Sequence, residues 1–301
     1  PVGAAVWGHL GDRLGRKSTL VWTLIVSFVG LMGIVLDPGY SAIGIWGVAI
    51  LYLFLIILAI GFGGEWQGAL TWIYEFVSNK RTRSLWVVWP DIMLSLGMVV
   101  ALLGFSWTGV LTGHAFFSWG WRIPFAAGAA VVVVGFILRY KFMESPLFMR
   151  VKAAGALAKR PSLSVFREYW RNILLLSFVA MAILGVDFFF LTPLGLPYFE
   201  AHGYSSFTAM TTVAIAIIIA ITTTVLSSYA ASFFSRKLLF TVFAVAVIVL
   251  VYPLYMIVNT GVYLYFALAL IVYALIGHML LGLRPIIIAD AFPTKYRYSA
   301  S

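Results

Sequence analysis

The sequence predicts an all-α membrane protein that crosses the bilayer several times, and three observations lead to this prediction. Hydrophobic residues make up 63% of the 301 residues and charged residues only 10%, whereas soluble domains carry about 25% charged residues. The mean hydropathy is +1.03. Apolar runs of about 18 residues or more, each long enough to cross a bilayer as a helix, recur along the chain. The predicted helices lie at about 1–10, 18–36, 43–74, 84–107, 123–140, 173–191, 207–228, 238–258 and 262–289.

Each helix is bounded by polar or helix-breaking residues. The first is a remnant, because the chain opens on Pro1 inside an apolar run; we therefore expect a fragment of a longer protein. Residues 19–36 carry no charge. The run at 43–74 exceeds the roughly 20 residues needed for crossing, so it is expected to tilt or to include an interfacial end. The helix at 173–191 ends before Pro193 and Pro197, and the later helices are separated by short polar loops.

The cations fall in alternate loops. Of the 20 Lys and Arg residues, 18 lie near 13–17, 80–83, 139–171, 236–237 and 295–297. Because Lys and Arg are retained on the cytoplasmic side, these loops are predicted to be cytoplasmic in a multi-pass protein of the plasma membrane. The net charge of +10 is then explained by topology, with membrane lipids rather than nucleic acid as its partner. The absence of cysteine excludes disulfides, thiol catalysis and thiolate metal sites.

The longest polar stretch divides the chain into three parts. Residues 1–140 are predicted to form a partial N-terminal helix bundle, 141–172 a central cytoplasmic linker, and 173–301 a partial C-terminal bundle. An internal repeat supports two related halves: residues 11–17 match 231–237, and Tyr74-Glu75 matches Ala289-Asp290, at offsets of 220 and about 215. The second copy of the charged turn has no Asp, so any latch that uses this Asp is expected in the first half.

Several motifs carry a family resemblance. The charged turn Gly8-His-Leu-Gly-Asp-Arg-Leu-Gly-Arg-Lys17 resembles the loop 2–3 signature of the major facilitator superfamily. Together with 61–70 (GFGGEWQGAL), 84–90 (SLWVVWP), 119–125 (WGWRIPF), 144–148 (ESPLF) and 292–298 (FPTKYRY), it resembles the metabolite:proton symporters of that superfamily from Gly8 to Tyr298. The resemblance implies a two-bundle helical fold, here incomplete: the first helix, part of the second and the last two would be missing. Asp91 and Arg284 depart from the family pattern.

The resemblance also implies a cytoplasmic gate. In such transporters, charged clusters on the cytoplasmic side hold the inner gate shut, and this role is carried onto Gly8, Gly11, Asp12, Arg13, Gly15, Arg16, Lys17, Glu75, Arg81, Arg83, Asp290 and Arg297. Asp12 is expected to cap a helix or to pair with Arg81 or Arg83, and Glu75 and Asp290 are expected to pair with Arg13 and Arg297. The alternative is a merely solvated face.

Five ionisable residues fall inside predicted spans, where a charge is costly unless it faces protein or water: Glu65, Asp91, Asp187, His278 and Arg284. Glu65 lies among glycines that let helices pack closely, and it either carries a proton or makes a buried interhelical hydrogen bond. Asp91, beside Pro90, is a second proton carrier or the partner of Arg284. Arg284 either binds a solute carboxylate through its planar fork or forms an internal ion pair with Asp91 or Asp290. Asp187 either binds the substrate or contributes to a gate, or it is an acid solvated at the membrane interface. His278 either belongs to the transport site or is a hydrogen-bonded histidine of the protein interior.

The resulting function is secondary transport without enzymatic activity. The resemblance implies proton-coupled symport of a small organic acid or zwitterionic metabolite by alternating access, because known members carry organic acids, proline or betaine. A sugar porter is the nearest alternative, and a membrane-embedded enzyme a remote one, since the four histidines are scattered and form no catalytic or metal-ligand pattern. The expected partners are the solute and protons; we expect a monomer with no cofactor and no metal.

Overall fold

The computed structural model describes residues 2–79, 82–141, 143–154, 167–178, 180–181, 191 and 195–292. Within these ranges the chain is helical and has no β-strand. The helices are α1 (Val2–Leu14), α2 (Arg16–Leu36), α3 (Tyr40–Ile43), α4 (Ile45–Phe76), α5 (Arg83–Val87), α6 (Trp89–Thr112), α7 (Arg122–Tyr140), α8 (Pro146–Ala153), α9 (Leu196–Ala201), α10 (Ser206–Ala230), α11 (Arg236–Val258) and α12 (Tyr263–Asp290). Residues 167–178 are also helical.

The all-α membrane fold is confirmed. Among the described residues, seven helices are long and apolar enough to cross a membrane: α2, α4, the continuous run Arg83–Phe116 that contains α5 and α6, α7, α10, α11 and α12. Helix α4 has 32 residues and is therefore about 48 Å long, which exceeds the roughly 30 Å hydrocarbon core of a bilayer. The predicted helix at 173–191 lies mostly outside the described residues.

The chain packs as two units. The first consists of Pro1–Ser78, Thr112–Ile173 and Ala289–Ser301, and the second of Asn79–Leu111 and Leu174–Ile288. Packing thus groups α6 with the helices of the second half of the sequence. The predicted domains, which rest on the repeat and on the polar stretch, divide the chain differently and stay a prediction.

Close approach of α2 and α4 organises the first unit. A Cβ atom added to Gly30 would lie 2.6 Å from the backbone N of Leu58, and one added to Gly61 would lie 2.7 Å from the backbone N of Ser27. Such distances leave no room for a side chain, so these glycines let the two backbones touch, as small residues do between membrane helices. Gly15, with a φ of 114°, adopts a conformation that favours glycine and separates α1 from α2.

The second unit has an aromatic and small-residue core. Phe199 and Phe266 are fully buried, and the rings of Tyr204 and Phe266 stack at 4.1 Å. Helices α10 and α12 also touch closely, because a Cβ atom on Gly282 would collide with the backbone carbonyl of Thr224. This packing sets the positions of the polar side chains of α12.

Candidate transport and gating sites

A buried ion pair joins α6 to α12 in the second unit. The guanidinium of Arg284 donates through Nη2 to Oδ1 of Asp91. The Asp91 side chain is 1% exposed and that of Arg284 is 10% exposed. Since each charge alone is costly in a membrane-spanning segment, the two stabilise one another as a neutral pair. Of the readings open for Arg284, the structure shows the ion pair with Asp91.

His278 lies on the same packed pair of helices. Its Nε2 is 3.5 Å from Oγ of Ser95, and Ser95 Oγ donates to the backbone carbonyl of Asp91 at 3.0 Å. His278 and Arg284 are six positions apart in α12, so their Cα atoms are about 9 Å apart along the helix axis. The structure thus brings three of the five predicted residues to the α6–α12 contact, which we call the Asp91–Arg284 seam (Asp91, Ser95, His278 and Arg284).

Glu65 makes the interhelical hydrogen bond that was one of its two predicted alternatives, and it also has a counter-ion that was not predicted. Its Oε2 pairs with Nη1 of Arg139, and its Oε1 accepts a hydrogen bond from Thr23 Oγ1 at 2.5 Å. By sequence, Arg139 is one of the cations of the predicted cytoplasmic segment 139–171. Its long side chain instead reaches back from the last turn of α7, as the flexible stems of arginine permit. Glu65 therefore has a counter-ion and joins α2, α4 and α7.

The charged turn is a buried cluster rather than a solvated surface. Arg16 is 2% exposed and lies 3.0 Å from both Asp12 Oδ1 and Glu75 Oε1. It also donates to the carbonyl of Gly11 at 2.7 Å. This corrects one predicted pairing: Glu75 binds Arg16, whereas Arg13 is exposed. The physical reason is the orientation of the two side chains. Arg16 is the first residue of α2 and is buried against α4, whereas Arg13 lies in the last turn of α1 and is exposed.

The segment that follows α7 completes this cluster, and its residues were not assigned a role from sequence. Glu144 Oε1 accepts from the backbone N–H of Arg16 at 2.9 Å and so caps the start of α2. Ser145 donates to Glu75 through its hydroxyl and accepts from the N–H of Phe148 at 3.2 Å. The ring centroid of Phe148 lies 4.8 Å from the Arg16 guanidinium carbon. We call these residues, with Asp12, Arg16 and Glu75, the Arg16 cluster.

Of the other residues predicted for the gate or the transport site, some are described by the structure and three are not. Asp290 accepts a hydrogen bond from the hydroxyl of Tyr74 at 2.8 Å. Gly8 and Gly11 lie in α1, Lys17 lies in α2, and Arg83 opens α5. Asp187, Arg81 and Arg297 lie outside the described residues, so their predicted pairings stay predictions.

At the position of Asp12, the second copy of the charged turn makes a contact between neutral side chains. Ser232, at the position of Asp12 in the repeat, lies 2.8 Å from the hydroxyl of Ser84. Ser228 donates to the carbonyl of Ser84 at 2.7 Å. A hydroxyl pair, Ser84 and Ser232, thus stands at the position where the first copy has the carboxylate of Asp12.

Long apolar helices that enclose buried ion pairs define a multi-pass membrane protein that places charged groups inside the bilayer region. The chain matches the family model described as Major Facilitator Superfamily over residues 2–301. It belongs to that superfamily, and it is a transporter rather than an enzyme.

Relatives and solved structures agree with this assignment. The chain is 37% identical over 185 residues to the inner membrane metabolite transport protein YhjE of Escherichia coli, covering 60% of this chain and 41% of that protein. It is 28% identical to the proline/betaine transporter of E. coli, covering 100% of this chain and 62% of that protein. The partially occluded inward-open xylose transporter XylE from E. coli has the same fold, with a TM-score of 0.71 at 17% identity, covering 99% of this chain and 75% of XylE.

Proposed function

We propose that the chain belongs to a proton-coupled symporter of a small organic acid or zwitterionic metabolite, which works by alternating access in the plasma membrane with its Lys/Arg-rich loops in the cytoplasm. The relatives named as metabolite and proline/betaine transporters support the solute class. A solved structure titled as a proton:xylose symporter has the same fold, which is compatible with proton coupling.

The Asp91–Arg284 ion pair is the observation that carries this proposal. Arg284 has a planar fork that matches a carboxylate through two parallel hydrogen bonds. While Asp91 is ionised, it competes with a solute carboxylate for that fork. When a proton binds Asp91, the arginine is released and the carboxylate of the solute takes the place of Asp91.

This exchange links one proton to one carboxylate. The empty site holds Asp91 as an anion and Arg284 as a cation. The loaded site holds neutral Asp91, the cation of Arg284 and the solute carboxylate. For an organic acid whose only charge is its carboxylate, both states are neutral overall, whereas the acid without a proton, or a proton without the acid, leaves one uncompensated charge in a buried place. A zwitterionic solute also brings an ammonium group, which needs a separate counter-ion for the loaded state to be neutral. The energetic cost of the two half-loaded states is the physical basis of coupling.

Alternating access exposes the Asp91–Arg284 pair to one side of the membrane at a time. In the predicted division of the chain, α6 belongs to the N-terminal bundle and α12 to the C-terminal bundle. Rocking of these bundles about a central site, as in transporters built from repeats, would open and close the contact that Asp91 and Arg284 make. His278, next to Ser95, lines the same seam and is the candidate that discriminates among solutes.

The Arg16 cluster is proposed as the inner gate. It links α1, α2, α4 and α8 through a single buried guanidinium that contacts Asp12 and Glu75. Buried ions are weakly screened and hold a specific geometry. We therefore expect the cytoplasmic interface to be closed while Arg16 contacts Asp12 and Glu75, and to open when these contacts break.

Uptake by the whole protein in proteoliposomes tests the proposal. We would impose a pH gradient and screen organic acids, zwitterions and sugars. Gradient-driven accumulation of an acid or a zwitterion is the expected result. Uptake of sugars alone would contradict it and favour the sugar-porter alternative.

A further inference from the structure

A cavity lies at the end of α2 that is remote from the Arg16 cluster. Helix α2 has 21 residues, so its ends are about 31 Å apart, and the cavity therefore belongs to the opposite membrane face. It has a volume of about 360 Å³ and lies between the segment after α2 and the segment before α7. Its lining includes Asp37, Tyr40, Gly47, Phe117, Trp121 and Arg122.

Arg122 forms one wall of the cavity and is held by backbone carbonyls. Its Nη1 donates to the carbonyl of Ser118 and its Nη2 to the carbonyl of Asp37, each at 2.6 Å. Its guanidinium carbon lies 4.5 Å from the ring centroid of Trp121. The arginine thus ties the two segments together and uses main-chain oxygens, not a carboxylate, as its acceptors.

Asp37 supplies the negative charge of the wall, and one oxygen of its carboxylate has no hydrogen-bond partner within the protein. The residue is 4% exposed, and its Oδ1 is buried without a hydrogen-bond partner among the described residues. Although Arg122 bonds to the carbonyl of Asp37, no ion pair within 4.0 Å joins the two side chains. A buried carboxylate in this condition is costly, and a cationic ligand would remove that cost.

We propose that this cavity binds an organic ammonium group, with Asp37 as its counter-ion. Tyr40 and Phe117 form an exposed aromatic rim, 68% and 86% exposed, on which an ammonium ion is attracted to the ring faces. The volume is at the small end of ligand pockets, about 300–1,000 Å³. A metal ion fits less well, because no cluster of three or more acidic or histidine residues occurs in the described part of the chain.

The ammonium group has two possible sources, a free solute or the headgroup of a membrane lipid, since the cavity lies at the end of a span. This site is separate from the Asp91–Arg284 seam. The inference does not depend on the proposed transport mechanism, and each fails on its own experiment.

Calorimetric titration of the whole protein in detergent with tetramethylammonium tests the inference. This probe has no carboxylate and therefore no reason to bind Arg284. The wild type is expected to bind it saturably and to ignore tert-butanol, a neutral molecule of similar shape. Asp37→Asn should weaken binding at least about tenfold, because it removes the counter-ion of the probe. Glu200→Gln, at an exposed carboxylate, is the matched control and should leave the affinity unchanged.

Thermal unfolding without ligand gives a second readout. Asp37→Asn should unfold at the same temperature as the wild type or higher, because it removes an uncompensated charge. A lower unfolding temperature would overturn the inference, because Asp37 would then be a structural residue. The absence of saturable binding in the wild type, or wild-type affinity in Asp37→Asn, would overturn it as well.

Nanodiscs identify the source of the ammonium group. If tetramethylammonium binds more weakly in discs that contain phosphatidylethanolamine than in discs where an uncharged glycolipid replaces it at the same fraction of anionic lipid, the lipid headgroup competes for the site and is its natural occupant. Equal affinity in both identifies a free solute. Either result supports an ammonium site, provided that Asp37→Asn weakens the binding at least about tenfold.

Discussion

Replacing Arg284 by alanine should strongly destabilise the protein, because Asp91 then keeps a buried charge without its counter-ion. The Asp91 side chain is 1% exposed, so water cannot replace the lost guanidinium. Breaking a buried pair by removing one partner costs roughly 3–5 kcal/mol. Removing both charges in Arg284→Ala/Asp91→Ala should recover most of that loss, since no uncompensated ion remains.

Thermal unfolding of the purified whole protein, measured for the wild type, both single alanine mutants and the double mutant, checks this cycle. Arg150→Ala is a suitable control, because Arg150 is exposed on α8 and its loss should change stability by no more than about 0.5 kcal/mol. Wild-type stability in Arg284→Ala, or a double mutant as unstable as the single one, would refute the reasoning.

The lysine variant separates the two roles of the arginine. Arg284→Lys keeps a counter-ion for Asp91 and should fold nearly as stably as the wild type. A point charge cannot reproduce the bidentate fork, so solute affinity should still fall by roughly tenfold or more. Unchanged solute affinity in both Arg284→Lys and Arg284→Ala would eliminate the carboxylate site.

Three further predictions concern other parts of the molecule. Asp12→Asn should slow the transport cycle with near-normal folding, because Glu75 still compensates Arg16. It should also increase the labelling, from the side of the Arg16 cluster, of a cysteine introduced into the transport pathway, since the chain has no cysteine of its own. Ser232→Ala in the second repeat should do little, and equal effects of the two substitutions would contradict a latch in the first half. Glu65→Gln should leave pH-driven accumulation intact, because the account places the coupling proton on Asp91 and Glu65 already has Arg139 as its counter-ion. Loss of accumulation with persistent solute exchange would assign the proton to Glu65 instead. Gly282→Ala should destabilise the protein because its Cβ meets a backbone carbonyl of α10, whereas Gly97→Ala, with nothing within 4 Å, should be neutral by thermal unfolding.

The membrane fold was predictable because hydropathy is a property of consecutive residues. Spans of uncharged residues such as 19–36 need no knowledge of neighbours, and the structure has α2 at Arg16–Leu36. The start of α8 was also open to prediction, since Ser145 followed by Pro146 is a typical N-cap and first helical position. The role of that segment in holding Arg16 was not, because its contacts span 128 residues of sequence.

The ion pairs could not be predicted uniquely from the sequence, because their partners lie far apart along the chain. Asp91 and Arg284 are 193 residues apart, and a sequence can present the pair only as one option among several. Arg139 was placed by counting cations in loops, which ignores the reach of a side chain at a helix end. Asp37 is not among the predicted site residues because it borders a loop, where charged residues are ordinary, and Arg122 is singled out by the sequence only as part of the motif at 119–125. Burial in the three-dimensional structure is what distinguishes Asp37.

Counterflow and accumulation in Asp91→Asn test the central claim most directly. Asparagine imitates the protonated acid, so Arg284 stays available to the solute carboxylate and cannot be recaptured. The account predicts that solute exchange across proteoliposomes persists at every pH, while a pH gradient no longer drives accumulation. Accumulation at the wild-type level in Asp91→Asn would contradict the exchange of a proton for a carboxylate at the Asp91–Arg284 seam.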